Sequence, residues 1–480
     1  MVNENFEIVI GLEVHLQFNT KTKIFCGCAN EFGKEANSLT CPVCLGLPGT
    51  LPVLNKTALI YAIKVALALN CQVNHRIKFD RKNYYYPDLP KGYQISQYDQ
   101  PIARDGYVLI ETSEKKIKIR VHRAHLEEDA GKLIHDSQLK ASLVDYNRAG
   151  SPLMEIVTEP DIRSAQEAHD YLTTLKLILK YLAVSDCDME KGSLRCDANI
   201  SIRKKREQKL GTKTEIKNMN SFKAVKAALE FEAERQAELL LKGERIIQET
   251  RLWNDEQGKT LPMRSKEEAH DYRYFPEPDL VPFMLSDQEI EEIRKTLPES
   301  PEEKFQRLLT TYQLSAYDAQ IIIQDSELAD FFEECAKISN KTKKVCNWII
   351  GPLQQELNTR KGSIKNLNLS PKNLTALIEK VEEGVVSNLI GKEILTMMID
   401  TGQSPDTIIT EKGMAQVSDH SALETILDNV ISENQNIVEQ IQGGKETALG
   451  FLVGQAMRKS QGKGNPKKIG ELLKRRLLNG

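Results

Sequence analysis

The sequence predicts strands and helices kept apart along the chain: a strand-rich stretch with a few helices over residues 1–285, then helix alone. Two observations predict this. The stretch Gly192–Ser221 alternates Leu194, Cys196, Ala198, Ile200 and Ile202 with Arg195, Asp197, Asn199, Ser201 and Arg203, the period of a strand with one buried face. From Ser286 onward, segments such as DQEIEEIRKTLPESPEEKFQRLL and PKNLTALIEKVEEG carry helical spacing with Ser and Pro punctuation and no strand signal.

Taken in order, Glu7–Phe18 reads as a strand with Leu12, Val14, Leu16 and Phe18 on one face and Glu13, His15 and Gln17 on the other. Glu13 and His15 therefore point the same way, either as a surface pair or as one edge of a metal or phosphate site. Cys26, Cys28, Cys41 and Cys44 follow as C-x-C and C-x-x-C, the spacing of a tetrahedral structural zinc knuckle or of reduced thiols. Lys56–Leu69 is an amphipathic helix. The segment FDRKNYYYPDLPKGYQISQYDQPI interleaves Tyr84, Tyr85, Tyr86, Tyr93 and Tyr98 with cations, a pattern that suits base stacking as well as a loop core.

HRAHLEEDAGK then crowds Glu127, Glu128 and Asp129, which repel unless a cation or hydrogen bonds offset them. SPLMEIVTEPDI sets Glu155 inside an apolar strand, where a carboxylate needs a partner or a cleft. Ser164–Leu182 and Phe222–Leu241 are helices on either side of the alternating stretch, whose polar turn closes at Gly211 and whose second strand carries Glu215 and Lys217. Asp197, Asn199, Glu215 and Lys217 thus share a surface, an inventory of oxygen ligands and fixed cation that fits a hard divalent ion and a phosphate. Pro276, Pro278 and Pro282 mark the end of the first domain, and a second change near Asp406 leads to a tail with Lys467, Lys468, Lys474, Arg475 and Arg476. That basic end is a phosphate-backbone contact or a solvated helix.

A chain of 480 residues that is 40% hydrophobic suits about three domains at roughly 150 residues each. The net charge of -3 gives no global case for nucleic acid, so any such binding rests on a local patch. Nine unevenly placed cysteines argue against a secreted disulfide framework. No run approaches the ~18 apolar residues of a membrane helix, and the start lacks a basic region ahead of its apolar residues, so a cytoplasmic, membrane-free protein is expected. Neither a phosphate-binding G-x-x-x-x-G-K-[ST] loop nor a dinucleotide fingerprint is present.

The motifs IGLEVH, FDRKNYYYPDLPKGYQISQ, HLEEDAGK, SPLMEIVTEPDIRS, GSLRCDANISI, EIKNMNSF, QETR, MRSKEEAHDYRYFPEPDL and GFLVGQAM, in this order, resemble the B subunits of bacterial aspartyl/glutamyl-tRNA(Asn/Gln) amidotransferases nearly end to end. The resemblance implies an α+β cradle of the glutamine synthetase and guanido kinase type over 1–285, a helical domain over 286–405 and a helical tRNA-binding tail over 406–480. It implies a heterotrimer with a glutaminase A subunit and a small C subunit. In it, the B subunit binds Glu-tRNA(Gln) or Asp-tRNA(Asn), phosphorylates the side-chain carboxylate with ATP, and lets ammonia displace the phosphate. By motif position Glu13, His15, Glu128, Glu155, Glu215 and Lys217 are the expected catalytic residues, with His15, Glu128 and Glu215 around Mg²⁺. Arg195, Asp197 and Asn199 are expected toward the nucleotide, Cys26, Cys28, Cys41 and Cys44 around zinc, and Tyr84, Tyr85, Lys467, Lys468 and Arg475 toward tRNA.

Overall fold

The computed structural model describes residues 5–112, 115–136, 138–263, 272–415, 420–443, 446–460 and 466–478. The chain divides into two compact units, Met1–Pro301 and Glu302–Gly480.

The first unit is built on strands β1 Phe6–Gln17, β2 Gln72–Val73, β3 Arg76–Ile77, β4 Asp80–Asn83, β5 Tyr93–Ser96, β6 Ala103–Glu111, β7 Lys116–Glu128, β8 Lys132–Asp136, β9 Ala141–Asp145, β10 Pro152–Thr158, β11 Leu194–Lys204, β12 Thr214–Lys217, β13 Glu249–Asn254, β14 Lys259–Pro262, β15 Phe275–Pro276 and β16 Phe283–Met284. Nine of them form one sheet in the order β14-β13-β12-β11-β1-β10-β7-β6-β2. Every pairing in it is antiparallel except β12 with β13. The amino-terminal strand is therefore central, held between β10 and β11.

Alternation decides what each face carries. On β1, Ile10, Leu12, Val14 and Leu16 are fully buried, and burying each such side chain contributes roughly 1.5–3 kcal/mol. They join a core with Met154, Ile156, Cys196, Ala198 and Ile200 of the neighbouring strands and with helices α1 Lys56–Ala68, α2 Ala165–Tyr181 and α3 Phe222–Leu241. Asn55, Ser164 and Ser221 cap these helices by accepting backbone amides. The opposite face carries the odd-numbered residues, among them Glu13, His15, Glu155, Arg195, Asp197 and Asn199.

β11 and β12 form the predicted antiparallel hairpin, with Asn199 opposite Glu215. A Cβ at Gly211 would lie 2.1 Å from the Ile202 carbonyl oxygen, so only glycine lets the loop close against the strand. A second, three-stranded sheet pairs β15 and β5 on either side of β4. The Arg81 guanidinium pins this strip by donating to both oxygens of Glu277, at 2.7 and 2.8 Å.

Helix α4 Asp287–Arg294 starts with a capping box on Ser286 and Glu289 and turns Ile290 and Ile293 onto the first unit's core. The second unit is helical: α5 Pro301–Thr310, α6 Ala316–Ile322, α7 Ser326–Ile338, α8 Thr342–Trp348, α9 Gln354–Arg360, α10 Pro371–Glu382, α11 Asn388–Thr401, α12 Pro405–Lys412, α13 His420–Glu433, α14 Gln435–Gln442, α15 Leu449–Lys459 and α16 Pro466–Leu478. Its last four helices have a core of their own around Leu427, Val430, Ile441, Leu452, Ile469 and Leu473.

Candidate active site

The polar face of the large sheet gathers ionisable side chains from five adjacent strands. Register fixes who meets whom: His125 on β7 stands opposite Glu155 on β10, Glu155 opposite His15 on β1, and His15 opposite Arg195 on β11. In the next row Glu13 stands opposite Asp197, and Lys217 on β12 is aligned with Asp197. Directly opposed side chains on one face lie in contact range.

Two groups result. In the first, His15 Nε2 is 3.3 Å from Glu155 Oε2, and His125 Nε2 is 3.6 Å from the same oxygen and 3.5 Å from Glu127 Oε2. One donor atom from each of His15, Glu127 and Glu155 falls within 4.8 Å of the others, close enough for all three to hold one metal ion. In the second group Asn199 Nδ2 donates to Glu13 Oε1 at 2.8 Å, and Lys217 Nζ lies 2.9 Å from Asp197 and 3.0 Å from Glu215. Thr250 on β13 donates to Glu215 at 2.8 Å. Arg195 donates to Asp129 Oδ1 at 2.9 Å.

The electrostatics separate these carboxylates. Burial pushes the Glu13 carboxyl up, and the negative charges of Glu155 and Glu215 add to the rise against the Asn199 hydrogen bond. Burial acts the same way on Glu155 and Glu127, yet His125 outweighs it for both, joined by His15 for Glu155, and both sit below the ordinary carboxylate range. The His15 imidazole is lowered by burial and raised more by Glu155, ending above its ordinary value. Carboxylates with opposed pKa shifts on one face are a mark of a functional site. Among the described residues, the buried His125 Nδ1, Arg195 Nε and Asn199 Oδ1 have no hydrogen-bond partner. Buried polar atoms left open on a site face are what a bound ligand satisfies.

Glu128 is placed elsewhere. One residue beyond Glu127, it turns off this face, where Lys91 Nζ donates to Glu128 Oε2 at 2.6 Å and the Ile95 amide donates to Oε1 at 2.8 Å. The structure thus brings Glu13, His15, Glu155, Arg195, Asp197, Asn199, Glu215 and Lys217 onto one face, without Glu128 and with Glu127 and His125 added.

The Lys91–Glu128 pair lines a cavity of about 220 Å³ with Cys26, Cys44, Gly46 and Tyr93. A second cavity, about 440 Å³, borders Glu13 and Asn199 and is lined by Val9, Val157, Thr158 and Leu210. The ligand atoms of Cys26, Cys28, Cys41 and Cys44 all lie within 4.8 Å of one another, and four thiolates ~2.3 Å from a common ion would be about that close. The Cys26 hydrogen bond draws the Cys44 thiol down to about 4, and burial pushes the Cys28 thiol up to about 11. A depressed thiol is the form that ligates metal, so the donor set fits zinc.

Tyr84 meets Tyr272 edge-on at 5.7 Å while Tyr85 is 94% exposed. On α16, Lys468 and Arg475 are exposed, and the side chain of Lys467 lies outside the described residues.

A sheet face carrying carboxylates, imidazoles and paired cations has the donor set to hold a divalent ion and anionic groups. Comparison with known proteins makes this specific. The profile described as "GatB/GatE catalytic domain" matches residues 8–291, and the one described as "GatB domain" matches residues 330–477. The chain is 53% identical to the B subunit of the aspartyl/glutamyl-tRNA(Asn/Gln) amidotransferase of Carboxydothermus hydrogenoformans over 475 residues, covering 98% of this chain and 99% of that protein. It is 53% identical to the protein of the same name from Persephonella marina over 469 residues, covering 98% of each. The corresponding protein of Thermodesulfovibrio yellowstonii is 51% identical over 468 residues, again 98% of each. The chain belongs to the family of aspartyl/glutamyl-tRNA(Asn/Gln) amidotransferase B subunits.

Proposed function

We propose that this chain is the B subunit of an ATP-dependent amidotransferase that converts Glu-tRNA(Gln), Asp-tRNA(Asn) or both to the amidated forms. It works in the cytoplasm with a glutaminase A subunit and a small C subunit. The observation that carries the reading is the polar row across β7, β10, β1, β11 and β12. A carboxylate is a poor acylating agent near pH 7, so it must first gain a leaving group, and phosphorylation by ATP supplies one. Ammonia from the partner then displaces the phosphate and leaves the amide.

The residues divide this work. His15, Glu127 and Glu155 would hold a magnesium ion, which uses one or two protein carboxylates and leaves its other positions to water and phosphate oxygens. Bound there, it would neutralise phosphate charge and align the reacting oxygens. Glu13, Asp197, Glu215 and Lys217 order the adjoining surface, with Arg195 and Asn199 turned to the nucleotide. The cavity beside Glu13 offers apolar walls at Val9, Val157 and Leu210 for a nucleoside. We assign the first unit to the cradle type of glutamine synthetase and guanido kinases, in which a carboxylate-lined sheet replaces a phosphate-binding loop. The four cysteines hold a structural zinc. Tyr84, Tyr85 and the basic tail with Lys467, Lys468 and Arg475 contact tRNA, and the tail from about residue 406 acts as a separate domain.

The test mixes the chain and its partner subunits with Glu-tRNA(Gln), ATP, Mg²⁺ and glutamine. Formation of ADP and Gln-tRNA(Gln) is expected, and a wild-type assembly that makes neither overturns the reading.

A further inference from the structure

Lys82 stands out on the small sheet beside the site. On β4 it faces Gln94 of β5, as Asp80 faces Ser96, so these four side chains share one face. Two of them already reach the end of β7: Ser96 Oγ donates to Glu127 Oε2 at 3.0 Å, and Gln94 Nε2 donates to the Glu128 carbonyl at 2.7 Å. The Lys82 ammonium is held over aromatic rings, 4.8 Å from the centre of Tyr272 and 5.8 Å from that of Tyr84. Its charge also helps to lower Glu127 and Glu155, behind the effects of burial and of the histidines.

Yet the Lys82 ammonium makes no ion pair or hydrogen bond among the described residues. Nearby cations are engaged: Arg195 with Asp129, Lys217 with Asp197 and Glu215, Lys91 with Glu128. Arg123, also without an ion pair among the described residues, acts on Tyr274, whereas Lys82 shares its face with Ser96, which donates to Glu127. A half-buried ammonium held over two rings and without an ion pair among the described residues is open to an anion brought by substrate.

We infer that Lys82 is a substrate-binding residue that holds the side-chain carboxylate of the amino acid esterified to tRNA against the His15–Glu127–Glu155 group. This rests on the amidotransferase reading above. A single carboxylate is matched by one ammonium, whereas the polyanionic nucleotide calls for the divalent ion. The tyrosine rings leave the ammonium pointing one way and cover its aliphatic stem.

The experiment compares wild type, Lys82→Met and Lys82→Arg, each assembled with its partner subunits, with ammonium chloride in place of glutamine so that glutaminase and ammonia delivery drop out. Gln-tRNA(Gln) formation is followed while Glu-tRNA(Gln) and ATP are varied in turn. Loss of one charge-assisted contact should lower kcat/KM for Glu-tRNA(Gln) roughly 10- to 100-fold in Lys82→Met. The KM for ATP should stay within about twofold, and Lys82→Arg should recover most of the loss. Binding of uncharged tRNA should not change, which a merely misfolded variant would not satisfy. If wild type is active and Lys82→Met keeps its kcat/KM for Glu-tRNA(Gln), or loses instead its KM for ATP, the assignment is overturned and the amidotransferase reading stands. A wild type that makes no amide overturns both.

Discussion

At the residue scale, the site turns on a difference of one position. Glu127 shares the polar face with His125, and Glu128, its neighbour, is occupied by Lys91 and the Ile95 amide. Glu127→Gln should therefore raise the Mg²⁺ concentration needed for half-maximal amide formation by at least ~10-fold, and Glu128→Gln should leave that requirement where it is; a magnesium titration of each variant checks this. Three acidic residues in a row give no way to choose between them without the strand register. Asp197, Asn199, Glu215 and Lys217 are legible from the sequence because alternation with small apolar residues is itself the register. A histidine in HRAHLEED carries no such signal, and His125 gains its meaning only when Glu155 is seen to stand opposite it.

A second residue is hidden by helix logic. Glu232 on α3 is fully buried, accepting from Arg235 at 2.6 and 2.9 Å, Gln236 at 3.0 Å and Thr260 at 3.0 Å. An apolar stripe of Val225, Leu229 and Ala233 predicts its packing face correctly and gives no hint that a carboxylate lies within it. Burial raises Glu232, and the hydrogen bonds of Arg235 and Gln236 outweigh that, so its folded pKa lies below the ordinary 4.5. A depressed carboxylate stabilises the fold above that ordinary value and loses the contribution as pH falls through the folded one. Glu232→Gln should cost about 3 kcal/mol near neutral pH, because it removes the buried counter-charge of Arg235 and leaves it only the more distant Glu249, at 3.5 Å. The gap between variant and wild type should narrow as pH falls below the ordinary value, as read by urea unfolding at several pH values.

At the scale of elements, loops without periodicity carry the part that sequence spacing reads best and the part it reads worst. The two cysteine pairs are legible because ligand spacing is a local rule, and their sulfurs do converge. One zinc per chain is expected by metal analysis, and removal by a chelator or Cys41→Ser should lower the unfolding temperature of the first unit by several degrees, on the order of 2–4 °C per kcal/mol lost. Tyr272 and Tyr274 come from a proline-rich stretch that reads as a domain end. They reach the site only because β15 lies along β4, with Phe275 opposite Arg81, a long-range pairing that no window of sequence contains.

At the scale of the whole molecule, the division between mixed and all-helical parts is visible in the punctuation, while the strand order is not. Helix α4 belongs to the first unit by its packing, and α12 packs on α10 and α11. A chain ended after residue 415 would therefore keep α12 and lose the last four helices with their separate core. Assembled with its partners, it should bind tRNA at least ~10-fold more weakly, with a shallower dependence on salt as phosphate contacts are lost, and should retain the fold of the first unit. Filter binding at several salt concentrations, alongside circular dichroism, measures both.

The central place of β1 has a consequence for synthesis. Phe6 pairs with Lys204, and the strand's other neighbour begins at Pro152. At about 5–20 residues per second on the ribosome, the first strand made waits on the order of 10–40 s before its last neighbour emerges. A strand that is apolar on one face and still has an unpaired edge invites capture by other chains during that interval. Nascent chains of this protein are thus expected to bind chaperones more strongly before residue 204 has cleared the exit tunnel than after β1 is paired on both sides, as crosslinking of ribosome-stalled chains of graded length would read.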